Sequence, residues 1–418
     1  MTELTASKPL AGIRLIDLTH MVAGPYAGMI LADLGCDTVK VEPPGRGEGT
    51  RRLLENDARN SIGGMGAYFF TLNRNKRSVA VDLKSPAGLD FFHQLVRHAD
   101  VVLDNFSAGV TKRLRIDHDH LAKQNPKIIT CSVTGFGEDG PRHKRPAFDQ
   151  IIQGLGGGMS ITGEGPGRNV RAGIPIGDLG GGMFAVMGVQ AALLARQRTG
   201  IGQHVDISML DVQISLLNYM ATMHLLSGEL PEPIGNGHFV HTPYNAFATA
   251  DDTITIAVIG DGFWPPFLEV VEIEELRDPA YATAAERLKD QARIEGLIAE
   301  KLKTRPAAEW LEKLEAARVP SARVNNFAQA LSDPQVLHRN MVVELGHPLG
   351  GSAKVPGNPV KLSVNAAESF TPPPLLGAHT VAVFKEWAGM SKAQIDQGIA
   401  AGALQQAEKP VREPVPAY

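Results

Sequence analysis

From Ile13 to Phe136, short apolar runs of strand length alternate with amphipathic stretches of helix length, and this alternation constrains the fold more than any other feature. The order begins with strand IRLIDLT, helix GPYAGMILADLG, strand TVKVEPP, a long polar loop, and strand SVAVDL. It continues through helix PAGLDFFHQLVRHAD, strand VVLDNF, short helices around AGVTKRL and DHLAKQNP, and strand IITCSVTGF. Strands separated by helices pair in parallel, and a parallel sheet must be covered on both faces. A doubly wound α/β body is therefore expected, extended by strand GQHVDISM and helix LDVQISLLNYMATMHLLSG.

The texture then breaks at ELPEPIGNGHFVHTPYNAF, where proline, glycine and histidine crowd together. Beyond it come a strand after the Asp251-Asp252 turn, a helix, and two charged amphipathic helices, AERLKDQARIEGLIAEKLKT and AAEWLEKLEAARV. These read as a second, smaller α+β domain over residues 228–326. Strand and helix patterns resume after 327, and the last ten residues, with three prolines, read as a tail.

Several function classes are disfavoured. A net charge of −4 over 418 residues argues against a nucleic-acid or anionic-membrane surface. The N-terminal MTELTASKPL has neither an apolar core nor a basic leader, and glycines or polar residues interrupt the apolar runs. A cytoplasmic protein acting on a small molecule, with no nucleic-acid or membrane partner, is expected. The two cysteines, Cys36 and Cys131, sit in apolar stretches without a nearby base, which suits neither a disulfide framework nor a thiolate nucleophile. The histidines of HDH (His118 to His120) and HFVH (His238 to His241) lack the carboxylate or cysteine partners of a closed site, so no metal is expected. The first strand-to-helix turn, THMVAGPYAG, lacks G-x-G-x-x-G, and neither a P-loop nor a G-x-S-x-G motif occurs.

The stretch VRAGIPIGDLGGGMFAVMGVQAALLARQRTG isolates one carboxylate, Asp178. Val170, Ala172, Ile174 and Ile176 alternate as in a strand, Gly180 to Gly182 suggest a tight turn, and Met183 onward reads as a buried helix. Asp178 reads either as the N-cap of that helix or as a catalytic group beside backbone N–H groups that three glycines leave uncovered. A cap alone requires no such run of glycines. His20, at the end of the first strand, is either packed or ligand-facing. Arg46, Arg51 and Arg52, with Arg74, Lys76 and Arg77, form either a solvated surface or loops that close over a phosphate or carboxylate. Gly235, Asn236, Gly237 and His238 form either a linker or a mobile lid.

Taken in order, THMVAGPYAG, LADLGCDTVKVEPPGRGEGTR, NRNKRS, VVLDNF, VTGFGEDGP, PAFDQIIQGLGGGMSITG, IPIGDLGGG, RQRTGIGQHVDISM and PPPLLGAHT resemble the family III coenzyme A transferases. That family includes formyl-CoA and carnitine CoA-transferases and α-methylacyl-CoA racemases. The resemblance runs from Leu10 to Glu386. It implies a large doubly wound parallel-sheet domain formed by both chain ends (1–227 and 327–418), a smaller domain with linkers (228–326), and an interlocked homodimer.

The resemblance also implies an activity: CoA passes from an acyl-CoA to a free carboxylic acid, with the CoA thioester as substrate and no permanently bound cofactor. Asp178 would form a mixed anhydride and then an aspartyl-CoA thioester, with N–H groups near Gly181 and Gly182 stabilising oxyanions. CoA-site positions carry over to His20, Met21, Ala23, Lys84, Asn105, Phe106, Arg113, Asp149 and Met209. Val22 stands where formyl-CoA transferases have glutamine, which speaks against formyl or oxalate as substrate. Pro43 stands where an arginine follows the KVE strand, leaving that contact to Arg46.

The racemase branch needs a proton-moving histidine immediately before the aspartate that aligns with Asp149. Phe148 occupies that position and cannot shuttle a proton. A CoA-binding protein without catalysis is a further alternative, against which the intact Asp178 and its glycines stand. Arg46, Arg51 and Arg52 suggest a clamp for a distal carboxylate, so succinyl-CoA as donor and a C4 or C5 dicarboxylate as acceptor are expected.

Overall fold

The computed structural model describes residues 8–364 and 368–407, and the proline-containing tail over 409–418 lies outside them. The chain divides into two compact units. The first comprises Met1–Gly157, Ala172–Thr222 and His338–Tyr418, and the second Gly158–Arg171 and Met223–Leu337. The second unit thus takes in Gly158–Arg171, whose glycines and polar residues carry no periodic signal, and it starts and ends outside the expected 228–326.

The first unit is built on a seven-stranded sheet. Its strands are β1 (Arg14–Asp17), β2 (Asp37–Glu42), β3 (Lys76–Val81), β4 (Val101–Asp104), β5 (Ile129–Thr134), β6 (His204–Ser208) and β7 (Leu404–Gln405). The order is β7-β3-β2-β1-β4-β5-β6, with every pair parallel except the short edge strand β7 on β3. The helices relevant to the site and its cover are α1 (Ala23–Asp33), α2 (Pro86–Val96), α3 (Asp149–Leu155), α4 (Ile176–Thr199), α5 (Met209–Ser227), α6 (Thr380–Ala388) and α7 (Lys392–Ala400).

Alternation within the strands separates two cores. Ile16, Val39, Val79 and Val102 join Phe92 of α2, Phe384 of α6 and Ile395 of α7. Leu15, Val101, Leu103 and Cys131 join Ala27 of α1 and Ala185 and Val189 of α4. Both faces are covered, as a parallel sheet requires. Ser85 starts α2 by accepting the Gly88 N–H at 3.0 Å, and Gly200, at φ 72°, ends α4.

The expected strand over Val170–Ile176 does not form: Val170 donates its N–H to the Thr162 carbonyl at 2.9 Å and Ala172 donates its N–H to the Gln153 side chain at 2.9 Å, a turn contact and a side-chain contact in place of a strand ladder. Instead α4 begins at Ile176 with Pro175 at its N-cap, which places Asp178 in the first turn rather than at the cap. Gly180, Gly181 and Gly182 lie inside α4, not in a turn. They allow close packing: a Cβ at Gly182 would sit 2.7 Å from the Ala23 carbonyl oxygen, and one at Gly181 3.1 Å from Met209 Cγ. By length and a mean hydropathy of 1.4 this helix is apolar enough to cross a membrane, yet here it packs along α1 and the sheet.

The second unit has its own core. Tyr244–Ala248, Thr253–Ala257 and Ser321–Arg323 form an antiparallel sheet. Helices Trp264–Val271, Gln291–Leu302 and Ala307–Ala316 pack on it through Phe267, Ile294, Ile298 and Trp310. The buried Trp310 indole N–H donates to the Leu302 carbonyl at 2.8 Å.

Candidate active site

The strand order β3-β2-β1-β4-β5-β6 reverses direction between β1 and β4. In open α/β sheets the ligand crevice lies at that switch point, beyond the carboxyl ends of the strands. Here the residues following the two strands are tied together. Asn105, after β4, accepts the His20 N–H at 2.7 Å and donates its own amide to the His20 carbonyl at 2.7 Å. The clamp holds the next residue, Met21, at φ 63°, a left-handed conformation uncommon for a side chain of this kind. No side chain caps α1 at Val22, so the first N–H groups of that helix have no partner within it.

Buried charges fix the loop from beneath. Lys76 Nζ lies 2.8 Å from the Asp17 carboxylate, Asp17 accepts the Thr19 N–H at 2.9 Å, and Lys40 Nζ donates to the Thr19 carbonyl at 2.8 Å. Burial alone would raise the Asp17 carboxyl, but Lys40 and Lys76 outweigh it and hold the group at about 2. His20 stays below the usual imidazole range, chiefly through burial and secondarily through Lys40. Its ring packs on Phe106 with centroids 5.2 Å apart.

Asp178 faces a cleft of about 240 Å³ shared with Met21, Ala23, Asn105, Phe106 and Met209. An adjoining cavity of about 400 Å³ also contacts His20 and Phe106 and reaches Pro43 and Lys84. Together they run along the carboxyl ends of β5, β4, β1, β2 and β3. Of the positions expected to meet CoA, His20, Met21, Ala23, Lys84, Asn105, Phe106 and Met209 are thus brought to one groove.

The Asp178 carboxylate has no hydrogen-bond partner among the described residues. Burial, helped by the negative charge of Asp149, raises it to about 6. At neutral pH such a group is mostly ionised yet poorly solvated, which suits a nucleophile. The two cysteines are the reverse case: burial pushes the Cys36 thiol up to about 12 and raises Cys131 as well.

Other expected positions stand elsewhere. Asp149 is not in the groove lining. Its Oδ1 accepts the N–H groups of Gly177 at 2.8 Å and Asp178 at 3.3 Å, and so closes the start of α4. The N–H groups of Gly181 and Gly182 are committed to the α4 ladder and are not free for an oxyanion. Arg51 forms a two-pronged pair with Glu42 at 2.6 and 2.7 Å and lies over the Phe69 ring, so it is no free clamp. Arg74 pairs with Asp33 and Arg77 with Asp37, both inside the fold's ion-pair framework. Arg46, Arg52 and Arg113 are exposed and line neither cavity.

Gly235, Asn236, Gly237 and His238 belong to the second unit, where the His238 ring stacks on His241 at 4.7 Å. Among the described residues, no three His, Cys, Asp or Glu side chains converge to hold a metal ion. Sequence reasoning missed His143 and Arg145 and took Phe148 only as the residue standing in place of a base; all three line the cleft with Asp178. The available signal was their place in the loop after β5, at the carboxyl edge of the sheet.

The family model for CoA-transferase family III matches residues 10–380. The chain belongs to CoA-transferase family III. The transferase is 32% identical over 408 residues to succinyl-CoA:glutarate CoA-transferase of Homo sapiens, covering 97% of this chain and 92% of that protein. It is 37% identical over 369 residues to acetyl-CoA:oxalate CoA-transferase of Acetobacter aceti, covering 87% of this chain and 92% of that one. Its fold matches that of a CAIB/BAIF family protein from Brucella suis with a TM-score of 0.81 and 33% identity, over 91% of this chain and 100% of the other. The mostly parallel sheet is thus the family's, and the transferase takes a CoA thioester as substrate.

Proposed function

We propose that the transferase moves CoA from succinyl-CoA to a C4 or C5 dicarboxylate through covalent intermediates on Asp178. The observation that carries this reading is the half-buried, partner-free Asp178 carboxylate, raised to about 6, in the cleft at the carboxyl ends of the sheet. Asp178 attacks the thioester carbonyl, the C–S bond breaks, and a mixed anhydride and CoA thiolate form. The thiolate then attacks the aspartyl carbonyl, giving the aspartyl-CoA thioester and releasing succinate with one former Asp178 oxygen. The acceptor carboxylate attacks the aspartyl thioester in turn, its C–S bond breaks to release CoA thiolate, and a second anhydride forms. Thiolate attack on the acceptor's carbonyl frees Asp178 and the new acyl-CoA.

With the Gly181 and Gly182 N–H groups engaged in α4, the Ala23 and Gly24 N–H groups that open α1, which have no partner among the described residues, offer donors for the developing oxyanions. The C4 or C5 dicarboxylate reading draws on relatives whose names pair succinyl-CoA or succinate with glutarate. Large exposed apolar side chains, Phe148, Met187 and Leu194 in the first unit and Leu230 and Phe327 in the second, support burial against a second copy of the chain, which an interlocked homodimer would provide.

A matrix of acyl-CoA donors and carboxylic acids tests the proposal. Turnover is expected with succinyl-CoA and glutarate, and Asp178→Asn should lower it by a factor on the order of 10³ or more. Activity confined to monocarboxylates, or α-proton exchange in deuterated water without CoA transfer, would contradict it.

A further inference from the structure

We propose that Arg145 binds the distal carboxylate of the acid that the transferase loads, and so sets its preference for dicarboxylates. This rests on the reading of Asp178 as the residue at the reacting end. Arg145 lies in the loop that leaves β5 and returns to α3, and it lines the same cleft as Asp178. Among the described residues lining that cleft, it is the only one with a permanent positive charge. Its guanidinium has no hydrogen-bond, ion-pair or ring partner among the described residues.

Arg145 is exposed like Arg46 and Arg52, but unlike them it lines the cleft that holds Asp178, and its unpartnered state sets it apart from the other cations that stand out in the sequence. Arg51, Arg74, Lys76 and Arg77 each hold a carboxylate of the fold, at 2.6, 2.7, 2.8 and 2.6 Å respectively. A guanidinium so engaged has no fork left for a ligand, whereas a free one binds a carboxylate through two parallel N–H···O bonds. His143, its neighbour in the cleft, commits its Nδ1–H to the Gly140 carbonyl at 2.6 Å.

The loop also gives Arg145 a defined place. Its N–H donates to the Arg142 carbonyl at 2.9 Å, and Pro146 restricts the backbone just after it. The chain then runs directly to Asp149, which is bonded to the first turn of α4 beside Asp178. The segment 145–149 thereby links the cation to the helix start that carries the nucleophile. An acid whose reacting carboxyl meets Asp178 can present its second carboxylate to Arg145 inside a cleft of about 240 Å³.

The test compares glutarate with butyrate as acceptors for wild type, Arg145→Met and Arg145→Lys. For Arg145→Met, KM for glutarate should rise and the glutarate-to-butyrate ratio of kcat/KM should fall about 10- to 100-fold, as expected for loss of a charge-assisted pair. Arg145→Lys should recover part of that ratio, since it keeps the charge and loses the fork. An equal fall for both acids would assign Arg145 to CoA or to folding, and an unchanged ratio would remove it from recognition; either result overturns the proposal. The ratio is read independently of any adduct on Asp178, so failure of the covalent route and failure of the Arg145 assignment are separate outcomes.

Discussion

The carboxylate of Asp149 accepts the backbone N–H of Gly177 at 2.8 Å and that of Asp178 at 3.3 Å, so one acid closes the helix on which the other is carried. The contact satisfies donors that Pro175 cannot cap, and it places a negative charge near Asp178. Asp149 is in turn held by the Gln153 amide at 2.7 Å.

Replacing Asp149 separates these two roles. Asp149→Asn keeps an acceptor for the helix and removes the charge, so the acid limb of kcat/KM against pH, expected near 6 in the wild type, should move to lower pH. Asp149→Ala should also cost about 1 kcal/mol of stability through the lost cap. A limb that stays in place in Asp149→Asn would show that the charge does not act on Asp178.

The raised Asp178 carboxyl makes a signed prediction for stability. Its folded value of about 6 exceeds its ordinary 3.8, so its contribution is fully present below about 3.8 and is lost as pH rises through 6. At pH 8 the ionised group therefore opposes folding, and Asp178→Asn should be the more stable protein by on the order of 1 kcal/mol after allowance for partial exposure. Thermal melts should converge by pH 4. Asp104, also raised to about 6 by burial, titrates in both proteins and cancels in the comparison.

Glycines 181 and 182 should behave as packing residues. A Cβ at Gly182 meets a backbone oxygen at 2.7 Å, whereas one at Gly181 meets the flexible Met209 side chain at 3.1 Å. Gly182→Ala should cost about 1–3 kcal/mol in unfolding free energy, and Gly181→Ala less. Unchanged melting with a fall in kcat would return these glycines to catalysis.

Much of the fold was legible because it is written locally. Alternating strands and helices specify a parallel sheet with two covered faces, and Asp178 stands out as a lone carboxylate before three glycines. What was not legible depends on residues far apart in the chain. Asp149 lies 28 positions from Gly177, and Arg74 lies 41 from Asp33. No local pattern shows that such charges are already engaged. The apolar alternation from Val170 resembled a strand, but a strand also needs a partner, which only the tertiary fold supplies or withholds. Arg145 lay in a loop without periodicity, and only its position after β5 pointed to the site.

The buried pair beneath the site should show strong coupling. Lys76→Met leaves the Asp17 charge without its 2.8 Å partner and should cost about 3–5 kcal/mol. Adding Asp17→Asn should cost less than the sum of the single changes, measured by chemical denaturation. Simple additivity would show that the pair does not brace the His20 loop as a unit.

The covalent route through Asp178 is tested most directly with glutarate whose carboxylates carry oxygen-18. Each cycle should leave one acceptor-derived labelled oxygen on Asp178, detected as a mass increase on its peptide, and over repeated cycles the Asp178 oxygen that attacks succinyl-CoA should carry label into succinate. Turnover that leaves the Asp178 peptide and the succinate unlabelled would contradict the aspartyl anhydride.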